Sequence, residues 1–442
     1  MCNRAKQKRQ SFLFVIIAAA VITMGLGFAT KAFAAPKILY PLTKPDTDST
    51  EVGIRGDFYA DQKAALKQIN EYRLEACKNG YPDPRDRSHK LTMADYSEVK
   101  WSSALETYAR LRAAEAAVYP GHARPGSNVP RSESEDHYFS GGECLAWGVG
   151  SGKSAVNLWA GEKDDWIKGT DAETGHYTSM IDPDVTYVGI GNFRAYGAYG
   201  CEWAGSVCGH FSCTEEPLDE TMLPAAENVI QMISIYTEYL GKPVFTEIGW
   251  YFEMGKSSFT VYQGDVLEFA VVQQATFPDG TEAIVMTPGT FTYASSNKAA
   301  LSVDAGGSAK ALKPGIATVT AKGSGASYSL KVTVKGYLKK PKITKAKRKG
   351  KNITVAFKTN ETTADFATGF QIQLAKNKKF TKGLKKATAK IKYDKYWRPK
   401  LTYSKTFKKL KKKGTYYIRV RAYMKNDTGT FYSTWSKTKK VK

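Results

Sequence analysis

Residues 159–193 read WAGEKDDWIKGTDAETGHYTSMIDPDVTYVGIGNF. The spacing of their apolar residues changes from that of a helix to that of a β-strand. Apolar residues recur at helical spacing through residues 154–167, where Trp159 and Trp166 lie on one face. Residues 185–193 then alternate as a β-strand does. A helix followed closely by a strand predicts a layered domain that combines both element types.

The residues that precede this stretch predict two more helices. Residues 61–79 carry an apolar stripe that ends at Gly80, and a second stripe runs through residues 101–113. The composition of the sequence changes after Glu216-Pro217. From residue 228 onward the pattern alternates with period two between turn signals, which predicts β structure.

Glu162 lies three residues after Trp159 and four before Trp166, so all three share one helix face. Burying an acid on an aromatic stripe is costly unless the acid is paired or lines a cleft. The alternative is a surface glutamate with charged neighbours. Glu143 is also unusual, because small and apolar residues surround it.

Several short motifs occur in one order over about 160 residues. They are Ile69-Asn70-Glu71-Tyr72-Arg73, Arg112-Ala113-Ala114-Glu115, His122-Ala123-Arg124-Pro125, Gly142-Glu143-Cys144-Leu145-Ala146, Trp159-Ala160-Gly161-Glu162, Gly175-His176-Tyr177 and Val188-Gly189-Ile190-Gly191. Together they resemble the CAP superfamily (SCP and pathogenesis-related proteins). The resemblance implies an α/β domain, an α-β-α sandwich, at residues 50–225.

The same resemblance implies that His122, Glu143, Glu162 and His176 face a central cleft. Imidazoles with carboxylates suit zinc or another divalent metal, and a histidine beside a carboxylate can also perform acid–base chemistry. A small amphiphile or a peptide is the other expected occupant. Cys144 stands where the family has Asn, and His137 is an alternative to His122.

Two further modules are expected, at residues 228–336 and 340–442. The first resembles a bacterial Ig-like (group 2) repeat, through Ser295-Ser296-Asn297 and Lys313-Pro314-Gly315. The second resembles a fibronectin type III module, through the stretch around Tyr416 to Arg421 and Trp435-Ser436. The expected fold is therefore multidomain, with the CAP domain followed by two all-β sandwiches.

Charge is distributed unevenly along the chain. Residues 337–442 hold 33 Lys and Arg against 4 acids, whereas the preceding 336 residues hold 32 basic and 38 acidic residues. This asymmetry predicts that the last module meets an anionic cell-wall polymer or a membrane surface, with nucleic acid disfavoured for an exported protein. The alternative is an inert lysine-rich surface. The expected contact residues are Lys347, Arg348, Lys349, Lys411, Lys412 and Lys413.

The N-terminal 35 residues predict export. A basic segment precedes an apolar run at residues 12–28, and Ala32-Phe33-Ala34 is a cleavage pattern, so residues 1–35 are expected to be a signal peptide. A retained membrane anchor is the rival interpretation. With its β modules, the protein is expected to be secreted or surface-bound in a Gram-positive bacterium.

Five cysteines follow the signal segment, and Cys201 with Cys208 is the expected disulfide. A zinc cluster of Cys201, Cys208, Cys213 and His210 is the alternative.

Three hypotheses of function follow. The protein is expected to bind a ligand or metal in the His/Glu cleft while the basic module tethers it. A hydrolase using the same cleft and a purely adhesive protein are the alternatives, so the sequence does not decide whether it is an enzyme.

Overall fold

The structure is a computed structural model that describes residues 36–40, 47–127, 142–201, 205–249, 251–411, 414–426 and 429–442. Within these ranges, none of the helices combines the length and the apolar composition needed to cross a membrane. The expected signal segment, the retained-anchor alternative, His137, Lys412 and Lys413 all lie outside the described residues.

The helices belong almost entirely to the first half of the chain. They are α1 (Gln62–Asn79), α2 (Ser103–Ala116), α3 (Gly152–Trp159), α4 (Lys163–Lys168), α5 (Gly175–Ile181) and α6 (Glu361–Phe366), with 3-10 turns at Ala160–Glu162 and Thr237–Tyr239.

The strands occupy the gaps between these helices and nearly all of the second half. They are β1 (Lys37–Leu39), β2 (Ser49–Phe58), β3 (Lys100–Trp101), β4 (Gly142–Trp147), β5 (Tyr187–Ala195), β6 (Gly205–Ser212), β7 (Ala226–Tyr236), β8 (Val244–Glu247), β9 (Ser258–Tyr262), β10 (Val266–Thr276), β11 (Glu282–Met286), β12 (Phe291–Ser295), β13 (Leu301–Val303), β14 (Ser308–Ala311), β15 (Gly315–Gly323), β16 (Ala326–Lys335), β17 (Lys342–Lys349), β18 (Asn352–Lys358), β19 (Gly369–Ala375), β20 (Lys385–Lys390), β21 (Thr402–Phe407), β22 (Tyr416–Asn426), β23 (Gly429–Tyr432) and β24 (Lys439–Val441).

Three predicted elements of the first half are confirmed, and a fourth is divided into shorter pieces. Helix α1 ends at Gly80, which takes the left-handed conformation at φ 64° and donates its N–H to Ala76. Helix α2 and strand β5 lie where their periods place them. The third helical stripe is instead divided into α3, a 3-10 turn and α4, so that Glu162 lies at the joint.

In the first half, the strands run in the order β7, β2, β5, β6, β4. Helix α2 lies very close to one face of this sheet. A Cβ on Gly189 would lie 2.1 Å from the backbone nitrogen of Glu106, and one on Gly191 would lie 2.4 Å from Ala109. The two glycines of β5 therefore permit an approach that a side chain would block.

The opposite face of the sheet is covered by α1, α3 and α5. Val188 and Ile190 alternate with the two glycines and pack on this side with Trp159 and Tyr177. Because side chains alternate along a strand, each strand here contributes to two separate cores, and helices cover both faces.

Strand β7 differs from the sequence expectation about where the first domain ends. It begins at Ala226, beyond the expected end of that domain at residue 225, yet it pairs along its length with β2. The sheet also continues into the next region, since Met286 of β11 pairs with Gly53 of β2. The first domain is thus joined to the β region by strand pairing as well as by the chain.

The rest of the described chain is almost entirely β, as predicted, and its exceptions are the short helix α6 and the 3-10 turn at Thr237–Tyr239. One buried core lies between the β12-β15-β16-β9 sheet and the strands around β10, and another lies between the β17-β18-β21 and β20-β19-β22-β23 sheets. In strands β16 and β22, more buried and more exposed residues alternate along much of the strand, in line with the period of two in the sequence.

Candidate functional site

Strand β4 is the element on which the predicted site is built. Its register against β6 places Glu143 opposite His210 and Cys144 opposite Gly209. Gly189 of β5 is in turn opposite His210, so Glu143 projects from the sheet face that α2 covers. Cys144 projects from the other face, where its sulfur lies 4.0 Å from the carbonyl oxygen of His176. Neighbouring residues of one strand therefore contact both halves of the site.

The first half of the site is a pair formed by His122 and Glu143. The Nδ1 atom of His122 lies 2.8 Å from Oε1 of Glu143. Arg112, from α2, donates its Nε–H to Oε2 of the same carboxylate at 2.8 Å. The Glu143 side chain is 0% exposed, whereas that of His122 is 39% exposed. Glu143 thus holds the imidazole from beneath and leaves its other edge toward solvent.

A network of buried ion pairs, here called the floor, lies beside His122. It consists of Arg112, Arg124, Glu115 and Glu143. Arg112 also contacts Glu115 at 2.5 Å, and Arg124 contacts Glu115 at 2.8 Å and 3.0 Å. All of these side chains are at most 4% exposed. Because Arg124 lies two residues after His122, its ion pair with α2 secures the loop that carries the histidine.

The charges of this floor keep its carboxylates ionised. Burial by itself would raise the pKa of Glu143, but hydrogen bonds from His122 and His210 and the charge of Arg112 outweigh it and hold the pKa far below its usual range. Burial likewise opposes ionisation of Glu115, and Arg124 with Arg112 still lowers its pKa.

The second half of the site is a pair formed by Glu162 and His176. The Nδ1 atom of His176 lies 2.5 Å from Oε1 of Glu162, and the backbone N–H of Tyr177 donates to Oε2 at 3.0 Å. The His176 ring lies nearly parallel to that of Trp159, with ring centroids 6.4 Å apart. The 3-10 turn that breaks the predicted helix is what directs Glu162 toward the start of α5.

The four predicted residues therefore form two separate histidine–carboxylate pairs. In each pair the carboxylate engages Nδ1, which leaves Nε2 as the ring nitrogen available to a ligand, metal or proton. The His176 side chain is 31% exposed and that of Glu162 is 20% exposed. In each pair the histidine is the more exposed side chain, and the carboxylate contacts its Nδ1 atom.

Glu143 also belongs to a second group of possible metal ligands, which the sequence did not predict. Its other members are Cys208 and His210. The Nε2 atom of His210 lies 3.3 Å from Oε2 of Glu143, and the sulfur of Cys208 lies 3.8 Å from it. Such residues suit a metal, but the Arg112 guanidinium already occupies the same carboxylate. Burial raises the pKa of the Cys208 thiol and lowers the pKa of His210, so both are neutral packing partners.

The expected disulfide between Cys201 and Cys208 is not formed in this structure. Cys208 lies within β6, where its sulfur is 3.8 Å from Oε2 of Glu143. The alternative zinc cluster is not assembled either, because the metal-compatible group contains neither Cys201 nor Cys213.

Arg112 and Glu115 were not predicted as site residues, although the sequence contains a signal for them. Helix α2 reads Leu111-Arg112-Ala113-Ala114-Glu115-Ala116, in which two charges three residues apart stand in an apolar run. A pair at that spacing within a buried stretch indicates a buried ion pair that needs further partners. His210 left no comparable signal, because only the β4–β6 register places it beside Glu143.

The basic residues predicted to contact a polyanion divide into two groups. Lys347, Lys349 and Lys411 are exposed. Arg348 instead donates to the carbonyl oxygens of Gly414 and Lys411 at 2.9 Å and 3.0 Å and lies over the ring of Tyr416. Arg348 therefore links β17 to Lys411 and Gly414, which precede β22.

Comparison with solved structures adds no support for a particular fold or function. A structure described as "Myokine structure" is 18% identical and covers 24% of this chain and 95% of its own, with a TM-score of 0.17. Domains 4 and 5 of the S-layer protein SbsC are 17% identical, over 45% and 97%, with a TM-score of 0.19. The FN1-FN3 domains of chicken CNTN1 are 13% identical, over 57% and 93%, with a TM-score of 0.20.

No curated protein matches the chain. A family model does, however, and it is the one described as CAP, the cysteine-rich secretory protein family. The match spans residues 66–209, which include all of α2 to α5 and both histidine–carboxylate pairs. This part of the chain is a CAP domain.

Proposed function

We propose that this is an exported, envelope-associated protein whose CAP domain binds a divalent metal or a small ligand through His122 and His176. The observation that carries the proposal is that each histidine is partly exposed while a carboxylate secures its Nδ1 atom. A histidine held in this way has a defined tautomer and presents Nε2 outward, as metal-binding histidines do.

A zinc-type ion would be held through the imidazole nitrogens of His122 and His176, neither of which belongs to the group of Glu143, Cys208 and His210 that lies within metal-binding distance in the described residues. Glu143 is fully buried and already bound by Arg112, so it would act as the partner that orients His122 and would not itself be a ligand. Glu162 would do the same for His176. A bound divalent ion would supply Lewis acidity and would lower the pKa of a bound water molecule.

An organic ligand is supported by a different feature of the same region. Leu158 and Ile167 are 54% and 37% exposed, and they lie on the helices before and after Glu162. Exposed apolar side chains close to Glu162 along the chain favour a ligand with both polar and apolar parts, such as a small amphiphile or a peptide.

A hydrolase is the second candidate, and the carboxylate-held His176 favours it, because such a histidine can serve as a general base. A covalent mechanism through Cys144 is disfavoured. That thiol is 1% exposed, and burial, with the nearby charges of Glu162 and Glu143, raises its pKa well above the usual range. Hydrolysis at this site would therefore use water as the nucleophile.

The terminal module is proposed to tether the protein to an anionic polymer of the envelope. Support comes from its 33 basic residues against 4 acids and from the exposure of lysines such as Lys347 and Lys349. Interaction with a polyanion through such a surface weakens steeply as salt screens the charges.

The site is tested by measuring zinc content and zinc affinity of the full-length protein and of a variant with His122→Ala and His176→Ala. We expect stoichiometric zinc in the unaltered protein and its loss in the double variant. The matched control is His89→Ala, since His89 is an exposed histidine paired with Asp86 outside the site.

Glu162→Gln extends the same test to the orienting carboxylate. It should weaken zinc binding by roughly 10–100-fold, as loss of a carboxylate behind a metal-bound histidine does. Zinc affinity that is equal in the unaltered protein and in the double histidine variant would contradict the metal proposal. Absence of zinc from the unaltered protein would leave the organic ligand as the proposal to pursue.

A further inference from the structure

The loop at residues 391–400 of the terminal module, here called the aromatic loop, exposes its large side chains unusually far. Trp397 is 83% exposed, Tyr396 is 64% exposed and Tyr393 is 49% exposed. The loop joins β20 to β21 and has four cations, Lys392, Lys395, Arg398 and Lys400, against one acid. Exposed aromatic rings cost solvation free energy, so their concentration at one loop indicates a surface that contacts something else.

The loop is built to hold these rings in place. Asp394 accepts the backbone N–H groups of Tyr396 and Arg398 at 2.8 Å and 3.0 Å, and its other oxygen accepts the Arg398 guanidinium at 3.0 Å. Lys392 and Lys400 are joined across the base by a backbone hydrogen bond of 2.8 Å. Less conformational freedom therefore remains to be lost on binding.

Trp397 takes a backbone conformation that favours glycine, with φ at 59°. A bulky residue in this region is strained, and such strain concentrates at functional positions. The Trp397 ring lies 6.2 Å from that of Tyr393, tilted by 46°. The two rings are therefore neighbours, and most of the Trp397 surface remains exposed.

Two of the loop's cations lie close to one of its aromatic rings. The Lys395 ammonium is 4.8 Å from the centre of the Tyr396 ring, and the Arg398 guanidinium is 5.2 Å from it. Inserting these rings into lipid would carry the charges toward the hydrocarbon, which is costly. The arrangement instead favours a hydrophilic partner that offers flat faces and negative charge together.

We propose that the aromatic loop is the docking point of the terminal module and that it binds an acidic polysaccharide. Sugar rings would stack on Trp397 and Tyr393, and their carboxylate or phosphate groups would pair with Lys395 and Arg398. This inference rests on the proposed tethering function. It assigns recognition to one loop, whereas binding by charge alone would involve basic residues over the whole module.

The test measures binding of the full-length protein to polygalacturonate, an acidic sugar polymer, with three comparison probes. These are dextran as a neutral sugar polymer, polyphosphate as an anion without sugar rings, and vesicles containing phosphatidylglycerol. Trp397→Gly removes the ring and keeps the backbone conformation, because glycine readily takes positive φ. We expect this variant to bind polygalacturonate roughly tenfold more weakly, as loss of one stacking ring does, with polyphosphate binding within about twofold.

A matched pair of charge variants separates the loop from the rest of the module. Lys395→Gln with Arg398→Gln should weaken polygalacturonate binding and reduce its salt dependence. Lys378→Gln with Lys379→Gln removes the same charge from the exposed loop at the other end of β20 and should have a smaller effect.

The outcomes distinguish the two proposals. If the protein binds purified cell walls at low salt but Trp397→Gly binds polygalacturonate as tightly as the unaltered protein, the loop proposal fails and the tether stands. If no anionic probe and no cell wall is bound at low salt, the tether fails as well. Tighter binding to the vesicles than to polygalacturonate, lost in Trp397→Gly, would overturn the choice of a sugar polymer in favour of a membrane surface.

Discussion

At the scale of single residues, the decisive contact is the one between Glu115 and two buried arginines. Removing one partner from a buried ion-pair network leaves the others charged and uncompensated, which costs about 3–5 kcal/mol. Glu115→Gln should therefore lower the free energy of unfolding by about that amount in a urea titration. Glu71→Gln is the control, because its pair with Lys67 is exposed and should contribute under about 1 kcal/mol. Similar losses in the two variants would contradict the prediction.

The same residue sets a pH dependence with a definite sign. The pKa of Glu115 is lower in the folded protein than its ordinary value of 4.5, so the folded state favours the ionised form. Its contribution is complete above pH 4.5 and is lost as the pH falls below that value. Urea titrations at pH 7.0, 4.5 and 3.5 should show a smaller loss at acid pH in Glu115→Gln than in the unaltered protein, and parallel losses would count against this assignment.

At the scale of elements, the approach of α2 to β5 decides whether the site exists at all. Arg112 reaches Glu143 only because Gly189 and Gly191 let the helix lie on the strand. Either glycine changed to Ala should destabilise the domain by about 3 kcal/mol, or prevent folding, because the new Cβ meets helix backbone. The control is Gly161→Ala, where a Cβ meets nothing within 4 Å. Thermal unfolding of Gly189→Ala at the unaltered temperature would refute this account.

At the scale of the whole molecule, Tyr337 couples the terminal module to the region before it. Its ring stacks on Tyr262 at 4.2 Å and on Phe366 at 3.9 Å, across the boundary between the two β regions. Tyr337→Ala should loosen this junction, with faster proteolysis near residues 336–341 and a larger radius of gyration in solution scattering. Tyr59→Ala, which removes an exposed tyrosine of the first domain, should change neither. A junction that resists protease equally in both variants would show that other contacts hold it.

Much of the fold was predictable because its signals are local. The period of residues 61–79, the glycine that ends their helix and the alternation in β16 and β22 depend on neighbours along the chain. The division of the third helix at Glu162 was not predictable in this way. Hydrogen bonds from His176 and the Tyr177 N–H to Glu162 accompany the break, and both residues lie in α5, beyond the helix that follows the break.

The candidate site was half predictable. Reading along the chain gives the order of the motifs, the two histidines, the two carboxylates and the charge imbalance of the last module. The folded arrangement was needed to show that each carboxylate contacts Nδ1 of a histidine, and that Arg112 and His210 share Glu143. The reason is that burial and partnership depend on strand register and on how closely a helix approaches a sheet, and these join residues that lie from 14 to 67 positions apart.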